Sequence, residues 1–147
     1  MKKIKLLLFI SGIILYTNFA RADLNVSLKK YLDGKDLEEA ITQIYLLKRC
    51  SAVYAYASGI ILKSDAITSK NFIEISNNLL FKSVELMVID ENKKLEEAQA
   101  KAEKNRKELF SNYITDGKKN WEKNKSHFKG SYISDDMAIC SKLIEEN

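Results

Sequence analysis

The chain has 147 residues and a formal net charge of +4, from 24 basic and 20 acidic side chains. Four of the basic residues lie among the first 22, which contain no acid, so the remaining 125 residues carry 20 charges of each sign. A neutral chain of this size gives no electrostatic reason to expect nucleic-acid binding, and it fits one domain better than two.

The first 22 residues have the three parts of a bacterial secretory signal peptide. A positive run at 1–5 precedes an apolar or weakly polar stretch at 6–16, and a small-x-small tripeptide ends at Ala22. We expect cleavage between Ala22 and Asp23, leaving a periplasmic or secreted domain of residues 23–147. The apolar stretch is about 11 to 15 residues long, whereas a membrane span needs roughly 20, and we expect no span in the mature chain.

Residues that interrupt helices are scarce in this chain. It has no proline, and four of its five glycines lie after the signal. Together with abundant lysine, glutamate, alanine, leucine and isoleucine, this composition predicts an all-α domain with long helices. A short helical lead-in ends at Gly34.

The first long helix is predicted to be the central one. Asp36 followed by Glu39 resembles a capping box and places the helix start at Leu37. Apolar or small residues then recur every three or four positions as far as Ile61. Residues 50–62 include no charged side chain, so this half of the helix has no obvious solvent face.

A polar connection at 63–68 leads into a second apolar face, which gives way to a charged run after Asp90. One helix over residues 69–115 would be about 70 Å long, against a diameter of about 36 Å for a compact domain. Two interpretations stay open: a bend or break near Asp90 to Asn92, or one long helix with a projecting charged half. Because no glycine or proline forces a break, the single helix is slightly favoured.

The charged run at 91–108 contains glutamate–lysine pairs spaced i,i+4, each worth a few tenths of a kcal/mol. A solvated helix face is the favoured interpretation. The alternative is an antiparallel or intermolecular coiled coil, because weakly apolar residues from Leu95 to Tyr113 follow a seam-like spacing. An oligomer formed through this charged helix therefore remains open.

The segment from Gly117 to Lys129 combines lysines with two aromatic residues and the single histidine, His127. Such mixtures can bind nucleic acid, anionic lipid or peptidoglycan. In a neutral domain we favour core packing of the two aromatic rings, with the lysines in water. This segment is nevertheless the candidate interaction surface, formed by Lys118, Lys119, Trp121, Lys123, Lys125 and Phe128.

A short amphipathic C-terminal helix is predicted to start at Ser134, where Asp135 and Asp136 suit the helix dipole. It contains Cys140, and the other cysteine is Cys50. In an oxidising compartment an even number of cysteines predicts a disulfide. This bond would hold the C-terminal helix against the first long helix, and by closing a loop of about 91 residues it would contribute at most about 4–5 kcal/mol.

No pattern indicates catalysis, a metal or a cofactor. Redox catalysts usually carry Cys-x-x-Cys, and structural zinc needs four ligands, whereas this chain has two cysteines and one histidine. Motifs for a nucleophile elbow, a zincin or a phosphate loop are absent from the sequence. Paired acids at 38–39, 96–97, 135–136 and 145–146 fall at predicted helix ends or exposed faces, and nothing selects one pair for glycoside hydrolysis. We expect no enzyme.

Three functions are consistent with these features. The favoured one is a non-enzymatic periplasmic helical protein that binds another protein or an envelope component. The second is a periplasmic inhibitor or immunity protein against an envelope-acting toxin or hydrolase. The third is a carrier of a small apolar ligand, with a cavity beside Tyr54 on the uncharged half of the central helix.

Overall fold

In the computed structural model, residues 26–145 are described, and they fold into five α-helices without a strand among them. The all-α prediction is confirmed. The predicted signal peptide and its cleavage site between Ala22 and Asp23 lie outside the described residues. In chain order the helices are α1 (Leu28–Leu32), α2 (Ala40–Ile61), α3 (Ala66–Ile89), α4 (Leu95–Asn124) and α5 (Tyr132–Glu145).

Helix α2 is central, as predicted, and contacts each of the other four helices. Within its uncharged half, residues 50–58 are buried apart from the half-buried Ala55, whereas Gly59 and Leu62 are exposed. The helix begins at Ala40, however, so the prediction of a start at Leu37 is wrong by three residues. The carboxylate of Asp36 accepts a hydrogen bond from the backbone N–H of Glu38 at 2.8 Å. That bond supports a local turn before the helix, which is a common alternative to capping for aspartate.

Two reciprocal serine pairs join α2 to α3. Ser51 and Ser76 each donate a hydroxyl to the other's backbone carbonyl at 2.7 Å. Ser58 and Ser69 repeat the arrangement at 2.9 and 3.0 Å. All four side chains are buried. Small side chains at these positions allow a close approach of the two antiparallel helices, and the shared bonds satisfy hydroxyls that would otherwise be buried without partners.

The favoured single helix over residues 69–115 is wrong, because α3 ends at Ile89 and α4 begins at Leu95. The chain reverses through Asn92, whose φ of 51° is left-handed. Asparagine enters this region more readily than most residues, so neither glycine nor proline is needed. The N–H of Lys93 bonds to the carbonyl of Met87 at 3.2 Å and closes the end of α3.

The reversal brings α4 back along α2 and α3. Ala98 and Ala102 are fully buried against Ile44, Val84 and Met87. Further along α4, the buried stripe consists of Leu109, Tyr113, Gly117 and Asn120. The seam read from the sequence is therefore buried within the chain from Ala98 to Tyr113, whereas Leu95 is 52% exposed and most of the charged run faces solvent. Among residues 26–145, no helix is both long and apolar enough to cross a membrane.

Helix α5 is linked to α2 by the predicted disulfide between Cys50 and Cys140, both fully buried. The helix begins at Tyr132, two residues before the predicted start at Ser134. Its N-terminal half packs against α1, and Leu28 of α1 is fully buried there. The disulfide and α1 thus fix α5 along much of its length.

Candidate functional site

The predicted interaction surface lies around the C-terminal end of α4. Its four lysines, Lys118, Lys119, Lys123 and Lys125, are exposed. Trp121 is 47% exposed, so the expectation that it packs into the core is wrong. Its ring stacks on His127 instead, with ring centroids 5.0 Å apart. Phe128 is partly buried against the core, as expected.

Tyr56 connects this surface to the core. Its hydroxyl lies 3.1 Å from Nδ1 of His127, and its ring contacts Phe128 at 5.7 Å between centroids. Burial raises the pKa of Tyr56 to about 12, so the phenol stays protonated at neutral pH. His127 and Phe128 therefore serve as anchors for the connection between α4 and α5, and Trp121 with the lysines forms the accessible part.

A second accessible feature, not foreseen in the sequence, is an open apolar groove of about 850 Å³ between α2 and α3. Several of its large apolar side chains are strongly exposed: Phe81 by 59%, Ile89 by 70% and Leu37 by 55%. Most of its lining comes from α3, with the C-terminal end of α5 also contributing. Its apolar lining residues are Leu37, Leu46, Leu47, Ile75, Leu79, Phe81, Leu86, Ile89, Leu143 and Ile144.

One end of the groove is acidic. Leu37 is flanked by the exposed carboxylates Asp36 and Glu38, and Ile89 is followed by the exposed Asp90. Glu85 also lines the groove. On the part of the wall that the structure describes, the one basic lining residue is Lys82. The lining itself carries one charge of each sign, and Lys35 and Lys142 are exposed near its edges, but acids outnumber lysines beside Leu37 and Ile89.

The α5 wall of the groove is held by a buried ion pair. Arg49 of α2 places Nη2 and Nε at 2.7 and 2.9 Å from Oδ2 of Asp136, and the side chains are 1% and 0% exposed. The other carboxylate oxygen accepts the backbone N–H of Leu28 at 2.6 Å. One carboxylate thus joins α1, α2 and α5. The sequence placed Asp136 at a helix start, and its complete burial there was not predicted.

Two tyrosines complete this cluster. Tyr113 of α4 donates its hydroxyl to Asp136 at 2.7 Å and accepts from Nε of Arg49 at 3.1 Å, while Tyr45 accepts from Nη1 at 2.8 Å. Burial raises the pKa of Tyr113 well above its usual value. Burial alone would lower the pKa of Arg49, but the neighbouring Tyr113, Asp136 and Tyr45 outweigh it and raise the pKa.

These pKa shifts keep the guanidinium charged and the phenol of Tyr113 neutral across the physiological range. The bonds use both carboxylate oxygens, and solvent does not reach the ion pair. The cluster therefore has the features of a structural link between helices. A catalytic site would need room for a substrate at the reacting atoms. Sequence reasoning missed it because Arg49 follows Lys48 just before the uncharged stretch at 50–62, and an arginine is usually solvated.

The cavity expected beside Tyr54 is not where the groove lies. Tyr54 is buried, meets Phe72 edge-on at 5.2 Å between ring centroids, and places its hydroxyl 3.3 Å from that of Ser141. It does not line the groove. The groove lies instead between α2 and α3, where Leu79 and Phe81 line it.

Residues 26–145 contain no group of three or more histidine, cysteine, aspartate or glutamate side chains placed to hold a metal. The chain matches no protein-family model, no curated protein and no solved structure.

Proposed function

We propose that this chain is a non-enzymatic exported helical protein that binds another protein or an envelope component. The observation that carries the proposal is the open apolar groove between α2 and α3, with the exposed Phe81 and Ile89. Contiguous apolar surface with a polar rim is typical of interaction sites and is costly to leave in water.

Export is supported by two features that are independent of the groove. The first 22 residues have the pattern of a secretory signal. The buried Cys50–Cys140 bond is typical of proteins that fold in an oxidising compartment.

A binding role is favoured over catalysis because the buried charged pair, Arg49 and Asp136, is closed to solvent and bonds to groups inside the protein. The inhibitor or immunity hypothesis is a special case of the same proposal, in which the partner is a toxin or hydrolase. A carrier of a small apolar ligand is the remaining alternative, since the groove falls within the volume range of ligand sites.

The proposal is tested by expressing the tagged chain in its native host, fractionating the cells and sizing the protein without denaturant. We expect it in the periplasmic fraction, in a complex with one discrete partner. Recovery of a lone monomer, or of a cytoplasmic protein that keeps residues 1–22, would contradict the proposal.

Two variants show which surface binds in this experiment. Phe81→Glu alters the groove, whereas Trp121→Ala combined with Lys118→Glu, Lys119→Glu and Lys123→Glu alters the surface at the end of α4. We expect the complex to be lost only in the groove variant, with both variants folded by circular dichroism. Loss only in the second variant would move the binding site to the lysine-rich surface.

A further inference from the structure

We propose that the groove binds an amphipathic helix of a partner protein, one that presents apolar residues on its inner face and basic residues beside them. This inference rests on the proposed function and names the chemistry of the partner. It follows from the length of the groove, the character of its lining and the charge at its margin.

The length of the groove matches a helix. Its α3 wall runs from Ile75 to Ile89, which is about 21 Å at 1.5 Å per residue, or about four helical turns. The facing wall comes from Leu46, Leu47 and the turn at Leu37. A helix lying along the groove can insert into it apolar side chains spaced i, i+4, i+7 and i+11, which is how amphipathic helices bind in grooves.

The lining suits apolar anchors more than a polar ligand. Single exposed apolar residues are ordinary on protein surfaces, but Leu37, Phe81 and Ile89 all line the same groove. Ile67 lies on the same helix, is 79% exposed and is not part of the lining. Ile67 therefore provides a matched control of similar size and exposure.

The charge at the margin favours a basic partner. Asp36, Glu38 and Asp90 stand beside lining residues at one end, and Glu85 lies within the groove. Lys82 is seven residues before Ile89 on α3, about 10 Å from the acidic end. This arrangement predicts an orientation in which the most basic part of the bound helix lies near Leu37 and Ile89, away from Lys82.

The groove is already formed in the unbound chain. Leu143 and Ile144 belong to α5, which is tied to α2 by the disulfide and by the Arg49–Asp136 ion pair. A preformed groove avoids part of the ordering cost that binding otherwise incurs. A short helical peptide should therefore be sufficient as a probe.

Three synthetic helical peptides of about four turns test the proposal. The first has leucines at i, i+4, i+7 and i+11 flanked by lysines, the second replaces the lysines with glutamates, and the third is a scrambled lysine peptide without the leucine stripe. Fluorescence anisotropy with the oxidised protein purified from the periplasm should show binding of the first peptide at least about tenfold tighter than the other two.

Variants locate the bound peptide. Phe81→Glu should weaken binding of the basic peptide by about tenfold or more, and Ile67→Glu should leave it within about twofold. Glu38→Lys with Glu85→Lys should abolish the preference for lysine over glutamate flanks, whereas Glu108→Lys with Glu122→Lys, both exposed on α4 and away from the groove, should preserve it.

Equal affinity for the basic and acidic peptides would overturn the proposal, as would equal effects of Phe81→Glu and Ile67→Glu. Concentration-dependent self-association that Phe81→Glu removes would also overturn it, because a second copy would then be the occupant. If none of the peptides binds while the native complex is still found and is lost in Phe81→Glu, the proposed function is retained, but the partner is not a basic amphipathic helix. If the native complex is absent too, both proposals fail.

Discussion

In this bundle, single residues contribute strongly to stability at positions where polar atoms are buried. Asp136 is the clearest case, because its carboxylate bonds to Arg49, Tyr113 and the N–H of Leu28 with no exposure to water. Such a pair is costly to bury and still more costly to break, since breaking it leaves one charge uncompensated. The carboxylate of Asp136 therefore joins α5 to α1, α2 and α4.

Asp136→Asn tests this residue directly. The substitution keeps the size of the side chain but leaves the guanidinium of Arg49 buried without a counter-charge, so the free energy of unfolding should fall by about 3–5 kcal/mol. Urea denaturation at neutral pH measures the change. Asp135→Asn is the matched control, because Asp135 is exposed and should change the midpoint little. A similar small change for both variants would contradict a stabilising role for the ion pair.

Gly117 allows α4 to approach the phenol of Tyr56. A Cβ at this position would overlap the hydroxyl and ring of Tyr56, whereas a Cβ at Gly59 on α2 would meet no atom within 4 Å. Gly117→Ala should therefore destabilise the fold by about 1–3 kcal/mol. Gly59→Ala should stabilise it by about 0.5–1 kcal/mol through helix propensity. Thermal unfolding of the two variants should move in opposite directions, and equal shifts would refute the close approach.

Because of Lys48, the free energy of unfolding should depend on pH in the alkaline range. Burial, with a contribution from the nearby Lys101, lowers the pKa of Lys48 to about 8, even though Glu91 acts in the other direction. Its Nζ donates to the side-chain oxygen of Asn105 at 2.9 Å. Because the unfolded chain keeps its proton up to a higher pH, the penalty for burying the charge is present below pH 8 and is relieved as pH rises.

The free energy of unfolding should accordingly increase from about pH 8 towards pH 9.5, before the tyrosines of the unfolded chain begin to ionise near pH 10. Lys48→Met removes the titrating group and should flatten this rise. Chemical denaturation at half-unit intervals of pH provides the curve. A wild-type stability that falls over the same interval would mean that Lys48 is not the governing group.

The helices show how much of the fold was predictable from the sequence. The scarcity of glycine and proline predicted the all-α class, and the two cysteines predicted the link between α2 and α5. The break after Ile89 was missed because its signal is one left-handed residue, Asn92, and the return of α4 is stabilised by alanines packing against distant residues. The groove was not predicted either, because it forms only when α3 and α5 pack beside α2, and that packing depends on residues distant in the sequence.

Helix α5 is the element that we expect the disulfide to stabilise most. If the Cys50–Cys140 disulfide is reduced while the Arg49–Asp136 ion pair remains, amide hydrogen exchange should increase in α5 and α1. Helices α2 and α3, which are joined by the serine pairs, should remain protected. Global stability should fall by about 2–5 kcal/mol. Hydrogen–deuterium exchange before and after reduction, with alkylated thiols, makes the comparison. Uniform loss of protection across all five helices would show that α5 does not respond separately.

As a whole, residues 26–145 combine a disulfide-linked helical bundle with the open apolar groove. The charges after residue 22 balance, so net charge does not drive association. Affinity would come instead from burial of the residues lining the groove, and selectivity from the acidic margin near Leu37 and Ile89. The lysine-rich end of α4 remains a predicted second surface, with Trp121 as its exposed aromatic residue.

A partner that occupies the groove in the cell can be captured there by crosslinking. A photo-crosslinking amino acid is placed at Phe81 or, as the control, at Ile67, and cells that export each protein are irradiated. We expect one discrete adduct from position 81, absent from position 67, in the periplasmic fraction. Identical adduct patterns from the two positions, or no adduct at position 81, would show that the groove is not the binding site.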